Sequence, residues 1–114
     1  MVDAAPIQVL ANGTCNGAHA ALVTVATGAT VSSPGPAAGT YLITLDPGLI
    51  GDNADANHLR VMIQIIGGAV NANVNAVVKA FAAGVMTVAF TTQVGAGAPA
   101  DEAFDFIIWK DLGN

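Results

Sequence analysis

The segment from Asp52 to His58 concentrates the side chains of this sequence that could bind a metal ion. It reads DNADANH and places Asp52, Asp55 and Asn57 close together. Alternating carboxylate and amide oxygens are ligands that Ca²⁺ accepts, but the helix-flanked loop of an EF-hand and its bidentate Glu are absent. The alternative is a solvated turn in which Asp and Asn side chains bond their own backbone. We favour the turn and expect no resident metal or cofactor.

Nucleophiles are few in this sequence and lie in contexts that do not activate them. Cys15 is the only cysteine and lies between turn residues in NGTCNG, so neither an internal disulfide nor a multi-cysteine metal cluster can form. Ser32 and Ser33 lie in VSSPGP, which lacks the strand–turn–helix context of a nucleophile elbow. His19 and His58 have no cysteine companion. We therefore expect an inert thiol at Cys15 and no enzymatic activity.

The charge of the sequence limits its partners. The net charge is −5, and the three basic residues, Arg60, Lys79 and Lys110, are scattered along the chain. This distribution argues against a surface that neutralises a nucleic-acid backbone. No apolar window approaches the roughly 18 to 20 residues of a membrane span, and the N-terminus lacks the basic and apolar regions of a signal peptide. We expect neither a nucleic acid nor a membrane as partner, and synthesis in a cytoplasm.

Turn signals divide the chain into short segments that are rich in β-branched residues and mostly alternate between apolar and polar positions. Seven strands are predicted, at residues 6–11, 20–27, 40–46, 58–66, 72–81, 85–92 and 104–110. The segment NAVVKAFAAG also has the spacing of a helix, but the alternation of the preceding NANVN favours a strand. The length fits one domain over residues 1–114. We predict an all-β, antiparallel β-sandwich or jelly-roll-like fold.

Two of these segments, 58–66 and 104–110, have a second face that is partly apolar. In the first segment one face is fully apolar and is assigned to the core; it consists of Leu59, Val61, Ile63 and Ile65. The other face mixes charged, amide and apolar side chains, which is the composition of protein–protein contacts. The last segment repeats this pattern. The predicted subunit-interface residues are Arg60, Met62 and Gln64 from the first segment, and Asp105, Ile107 and Trp109 from the second.

The composition predicts that other chains cover part of the surface. Charged residues make up 10% of the sequence and hydrophobic residues 54%, whereas charged residues average about 25% in soluble domains. Arg60 and Asp105 are each the only charge of their sign on their outer face. A charge in an interface is costly without a partner. We therefore expect these two side chains to pair, within a protomer or across a subunit contact.

Two long segments carry a resemblance to a known class of proteins. They read GTYLITLDPGLIGDNADANHLRVMIQIIGG and GVMTVAFTTQVGAGAPADEAFDFIIWKD. This pattern resembles the small trimeric β-sandwich domains of tailed-phage virions, which occur as tail-fibre heads and as capsid decoration proteins. The matching positions are Gly39, Tyr41, Ile43 and Leu45, then Met86, Thr87 and Val88, and finally Asp101 with residues 104–109. The resemblance implies a jelly-roll-like fold and a homotrimer.

The leading function on this basis is that of a capsid decoration, or cement, protein of a tailed bacteriophage. Such a protein trimerises on the capsid surface, binds the major capsid protein and stabilises the shell. Residues 1–13 form a short segment that is apolar and nearly uncharged. This is expected of an N-terminal arm that binds another protein by strand addition. The predicted capsid-contacting residues of this arm are Val2, Pro6, Ile7 and Val9.

A second interpretation stays open, in which the trimer is the receptor- or glycan-binding head of a tail fibre. Asn71, Asn73 and Asn75 project from one side of a predicted strand and could bind a sugar. The alternatives for these amides are a solvent-facing edge or an amide ladder between subunits. Tyr41 and Trp109 are the rings with polar handles that a sugar site could use, although both are explained more simply as core or interface residues.

Overall fold

The computed structural model of the chain describes residues 7–18, 22–33, 38–48, 59–67, 71–82 and 84–111. These residues form eight strands and, within the described ranges, no helix. The strands are β1 (Ile7–Cys15), β2 (Thr24–Thr27), β3 (Ala29–Ser32), β4 (Thr40–Leu45), β5 (Leu59–Ile65), β6 (Ala72–Ala82), β7 (Val85–Val94) and β8 (Phe104–Asp111).

All the strand pairings are antiparallel and build two sheets of four strands each. Sheet A has the order β2-β1-β8-β5 and sheet B the order β3-β4-β7-β6. The all-β, antiparallel prediction is therefore confirmed, and segment 72–81 is a strand and not a helix. The sequence prediction missed β3, because a single residue, Gly28, separates it from β2. The jelly-roll-like connectivity and the trimer stay predictions.

Both sheets contribute the alternate residues of their strands to one core. Sheet B contributes Tyr41, Ile43 and Leu45 of β4 and Met86, Val88 and Phe90 of β7. Sheet A contributes Phe104, Phe106 and Ile108 of β8 to the same core. Three rings meet at the centre: the ring centroids of Tyr41 and Phe104 are 4.9 Å apart, and those of Phe90 and Phe104 are 5.0 Å apart. Contacts of this edge-to-face type add to the apolar burial. The aromatic residues are few, yet three of them join the two sheets.

A bulge in β1 determines which residues of that strand face outward. The register against β8 shifts between Val9 and Ala11, so that Leu10 and Ala11 are both buried. Val9 then lies opposite Trp109 and is 47% exposed. Residues 7–13, which the sequence suggested as part of an arm, thus belong to a strand that pairs with β8. Residues 1–6, including Val2 and Pro6, lie outside the described residues, and the capsid contact of the arm stays a prediction.

A buried hydroxyl joins sheet B to two loops at one end of the molecule. The Tyr41 hydroxyl donates a hydrogen bond of 2.8 Å to the backbone oxygen of Gly17 and accepts one of 3.4 Å from the backbone N–H of Glu102. Asp101 reinforces the contact, since its Oδ1 accepts a 2.7 Å hydrogen bond from the N–H of Gly39. Burial raises the pKa of the Tyr41 hydroxyl above its usual value of 10.0, so the hydroxyl stays protonated and can donate.

The loop at Gly17 fits only without a side chain. Its φ of 72° lies in the left-handed region, and a Cβ there would meet the backbone oxygen of Glu102 at 2.1 Å. Both the backbone conformation and the close approach therefore require glycine. This approach is what brings the Gly17 oxygen within reach of the Tyr41 hydroxyl.

We expect Tyr41→Phe to lower the free energy of unfolding by about 1–3 kcal/mol, because the buried oxygen of Gly17 loses its donor. Urea denaturation monitored by circular dichroism measures this change. Thr87→Val is the control, since its hydroxyl makes a 3.4 Å bond at an exposed site and surface changes usually stay within about 0.5 kcal/mol. Equal losses in the two variants would contradict the role assigned to the Tyr41 hydroxyl.

Candidate functional site

The six predicted interface residues lie together on the outer face of sheet A. The register of β5 against β8 places Arg60 opposite Trp109, Met62 opposite Ile107, and Gln64 opposite Asp105. Each pair shares one face, because side chains alternate along both strands. The core-facing residues of these strands, Leu59, Phe104, Phe106 and Ile108, are buried on the opposite side. The two faces assigned from the sequence are thus the inner and outer faces of one sheet.

The same face continues across β1 and β2. Thr14 lies opposite both Asp105 and Val25, and Asn12 lies opposite both Ile107 and Thr27. The outer face of sheet A therefore consists of three cross-strand rows: Val25–Thr14–Asp105–Gln64, Thr27–Asn12–Ile107–Met62, and Val9–Trp109–Arg60. The sequence did not assign Asn12, Thr14 and Val25 to this surface, because the pairing of β1 with β8 joins opposite ends of the chain.

The centre of this face is a shallow groove of about 410 Å³. It is lined by Asn12, Gly13, Thr14, Val25, Met62, Gln64, Asp105, Phe106 and Ile107. Val25 is 77% exposed and Met62 is 56% exposed. The groove contains one carboxylate, that of Asp105, among amide, hydroxyl, aliphatic and aromatic groups. Such a surface is suited to contact with another protein.

The predicted ion pair between Arg60 and Asp105 does not form within one protomer. The register puts Arg60 opposite Trp109, whereas Asp105 is four residues away, opposite Gln64. Four residues of extended strand span about 13 Å, which is beyond the reach of two side chains that stand perpendicular to the sheet. This half of the expectation is wrong. The two charges instead mark opposite ends of the outer face, and pairing across a subunit contact stays a prediction.

The three basic residues, scattered in the sequence, converge on one corner of the fold. The Nζ of Lys79 and the NH1 of Arg60 both donate to the backbone oxygen of Leu59, at 2.9 Å and 3.2 Å. Lys110 lies opposite Leu59 in the β5–β8 register. The two donors are therefore within about 6 Å of each other. The contact of Lys79 also joins the edge strand of sheet B, β6, to the edge strand of sheet A, β5.

The asparagines that could bind a sugar make hydrogen bonds within the chain. The Nδ2 of Asn73 donates to the backbone oxygens of Asn71 and Gly95, at 3.1 Å and 3.0 Å. The Nδ2 of Asn75 donates to the Oδ1 of Asn73 at 2.6 Å. These amides form a ladder that ties the start of β6 to the turn after β7. A glycan would have to compete with these bonds.

The remaining candidates for chemistry have structural roles or lie outside the described residues. Cys15 is fully buried, and its Sγ accepts contacts from the N–H of Gly17 and the hydroxyl of Thr24. The Ser33 hydroxyl donates to the backbone oxygen of Thr40 at 2.8 Å. The candidate metal ligands Asp52, Asp55 and Asn57, with His19 and His58, are among the residues that the structure does not describe. The described ranges contain no group of three or more His, Cys, Asp or Glu that could hold a metal ion.

Comparison with known proteins adds no relative to this description. No protein-family model matches the sequence, and neither a curated protein nor a solved structure matches the chain. Among the described residues, no helix is long and apolar enough to cross a membrane.

We expect Arg60→Ala and Asp105→Ala to have additive effects on the unfolding free energy of the single chain, because about 13 Å separates the two positions. A double-mutant cycle measured by urea denaturation, at a dilution where the protein sediments as one chain, tests this. The same cycle measured on the dissociation of the assembled protein gives a coupling energy of about 1 kcal/mol or more if the charges pair between copies. Coupling in the single chain would contradict the register.

Proposed function

We propose that this protein is a structural component of a tailed-phage virion, a capsid decoration protein that assembles as a homotrimer through the outer face of sheet A. The observation that carries the proposal is the register of β5 and β8, which joins the six predicted interface residues into one continuous surface. The resemblance of residues 39–68 and 84–111 to trimeric phage β-sandwich domains supports a homotrimer with threefold symmetry and a location on the capsid shell. The two sheets and their shared core support a β-sandwich of this kind.

The physical reason for assembly is the apolar area on a face that has little charge. Met62, Val25 and Val9 are each about half or more exposed, and Ile107 and Trp109 lie between them. Burying such area contributes roughly 25 cal/mol per Å². The polar groups on the same face, Asn12, Thr14 and Gln64, are neutral and hydrogen-bond readily across a contact. The face is therefore expected to be buried against other copies rather than left in water.

A decoration protein acts through its contacts with the shell and not through a catalytic centre. It stabilises a shell by making many equivalent contacts, which requires a rigid domain with a defined contact face. Rigidity comes from the core shared by both sheets and from the Tyr41 hydroxyl that fixes two loops. The major capsid protein is the proposed partner, and the capsid surface the proposed location.

We expect Met62→Asp to dissociate the assembled protein, because it places a carboxylate in the middle of the apolar contact. Val78→Asp is the matched control: Val78 is 57% exposed, against 56% for Met62, but lies on β6 of sheet B. Sedimentation velocity at micromolar concentration measures the mass of each variant. The wild type and Val78→Asp should sediment as three copies, and Met62→Asp as one. A monomeric wild type, or equal dissociation of both variants, would overturn the assembly proposal.

The decoration role itself is tested on virions. Quantitative mass spectrometry of purified phage particles that carry this protein should find it in the head, at a copy number comparable with that of the major capsid protein. Particles stripped of it should release DNA at a lower temperature or a lower osmotic shock than intact ones, and adding the trimer back should restore resistance. A few copies confined to the tail tip would favour the fibre-head alternative, and its absence from particles would refute both.

A further inference from the structure

One side of the molecule has two neighbouring strand edges without a partner strand. β2 is the last strand of sheet A on this side and β3 is the last strand of sheet B, and no described strand pairs with the outer edge of either. Gly28 joins them at a φ of 80°, and a Cβ there would meet the backbone oxygen of Leu10 at 2.2 Å. The close contact keeps the junction tight, while the two strands diverge into different sheets.

The hydrogen-bonding pattern identifies which backbone groups point outward from β2. The N–H of Asn16 donates to the oxygen of Val23, so Val23 belongs to a bonded pair, and alternate residues of β2 bond to β1. With the register Thr14↔Val25 and Asn12↔Thr27, the outward N–H and C=O groups are those of Thr24 and Ala26. Two residues of β2 therefore present a free donor and acceptor each to an added strand.

The opposite side of the molecule is protected against such pairing, and this side is not. Edge strands are commonly blocked by charges, prolines or bulges. On the opposite side, β5 carries Arg60, and β6 carries Lys79 and a register irregularity between Asn75 and Val78. Residues 22–33, which contain β2 and β3, include neither a charged residue nor a proline. The contrast distinguishes the two open edges, of β2 and β3, from the two blocked edges, of β5 and β6.

A cleft of about 340 Å³ lies between the two open edges. It is lined by Leu22, Thr24, Ala26, Ala29, Thr30 and Val31, which are mostly small. Outside the cleft, Val23 is 61% exposed and Val25 is 77% exposed. A strand beside β2 would cover these two valines with one set of side chains and fill the cleft with the alternate set. The outer residues of β3, Thr30 and Ser32, are polar and offer no such area.

We propose that β2 is a docking edge that accepts an extended, uncharged segment of a different protein, with aliphatic side chains at alternate positions. The backbone groups of Thr24 and Ala26 would supply the hydrogen bonds, and the cleft between β2 and β3 would select apolar side chains, as in other cases of strand addition. The absence of charge from residues 22–33 requires an uncharged partner, since a charged side chain would be desolvated in the cleft without a counter-charge. This site shares Val25 with the proposed trimer contact, but its hydrogen-bonding groups lie at the edge of β2 and not on the outer face of sheet A. It does not depend on the decoration role.

The test uses the isolated protein and a capped seven-residue peptide of alternating valine and threonine. Amide hydrogen exchange followed by NMR should slow at least about tenfold at Thr24 and Ala26 when the peptide is saturating. Val61 is the internal control, because its N–H also points outward, from the blocked edge of β5. A peptide of the same sequence with N-methylated backbone should leave every amide unchanged.

Two variants locate the binding. Ala26→Pro removes a donor that makes no bond to β1, so the fold should persist while the peptide effect disappears. Thr30→Lys places a charge at the rim of the cleft without altering β2 and should weaken binding at least about tenfold; Val78→Lys on β6 should not. Unchanged exchange at Thr24 and Ala26, or equal peptide binding by Thr30→Lys and Val78→Lys, would overturn the proposal. Protection that rises with protein concentration without peptide would assign the edge to a second copy instead and likewise overturn it.

Discussion

The Tyr41 hydroxyl is the contact on which the arrangement of both sheets depends. Its ring packs against Phe104 of sheet A, and its oxygen bonds Gly17, which follows β1, and Glu102, which precedes β8. One side chain of sheet B therefore fixes the ends of the two strands that are adjacent at the centre of sheet A. Because β1 and β8 are paired along their length, fixing their ends also fixes the register of that pair.

That register determines which residues form the outer face of sheet A, because a shift of one residue in β8 would exchange its two faces. Phe104, Phe106 and Ile108 would move outward, and Asp105 and Trp109 would enter the core. The bulge at Leu10 serves the same requirement from the other strand: it buries two consecutive residues of β1 and returns Asn12 and Thr14 to the outer face. The contact surface is thus a consequence of core packing and not an independent feature.

Alternation along a strand could be predicted from the sequence, and relations between strands could not. The period of two in LRVMIQI and FDFIIWK assigns Leu59 to the core and Met62 to the outer face, as the structure confirms. Which residues lie opposite each other depends on register, which a single sequence does not specify. Arg60 and Asp105 share a face but lie at opposite ends of it, and Lys79 reaches Leu59 across 20 positions of sequence. No local pattern encodes either fact.

The few charged side chains of the protein are placed so that they separate blocked strand edges from open ones. Three cations surround Leu59, on the side of β5 and β6, whereas residues 22–33 on the opposite side have none. Continuous edge-to-edge assembly requires that one edge of each copy pair with the opposite edge of the next copy. Here an open edge would meet a blocked one, and pairing stops after a single addition. Assembly by the face of sheet A and docking at β2 both involve Val25, but neither pairs a strand with the outer edges of β5 and β6, which Arg60 and Lys79 block.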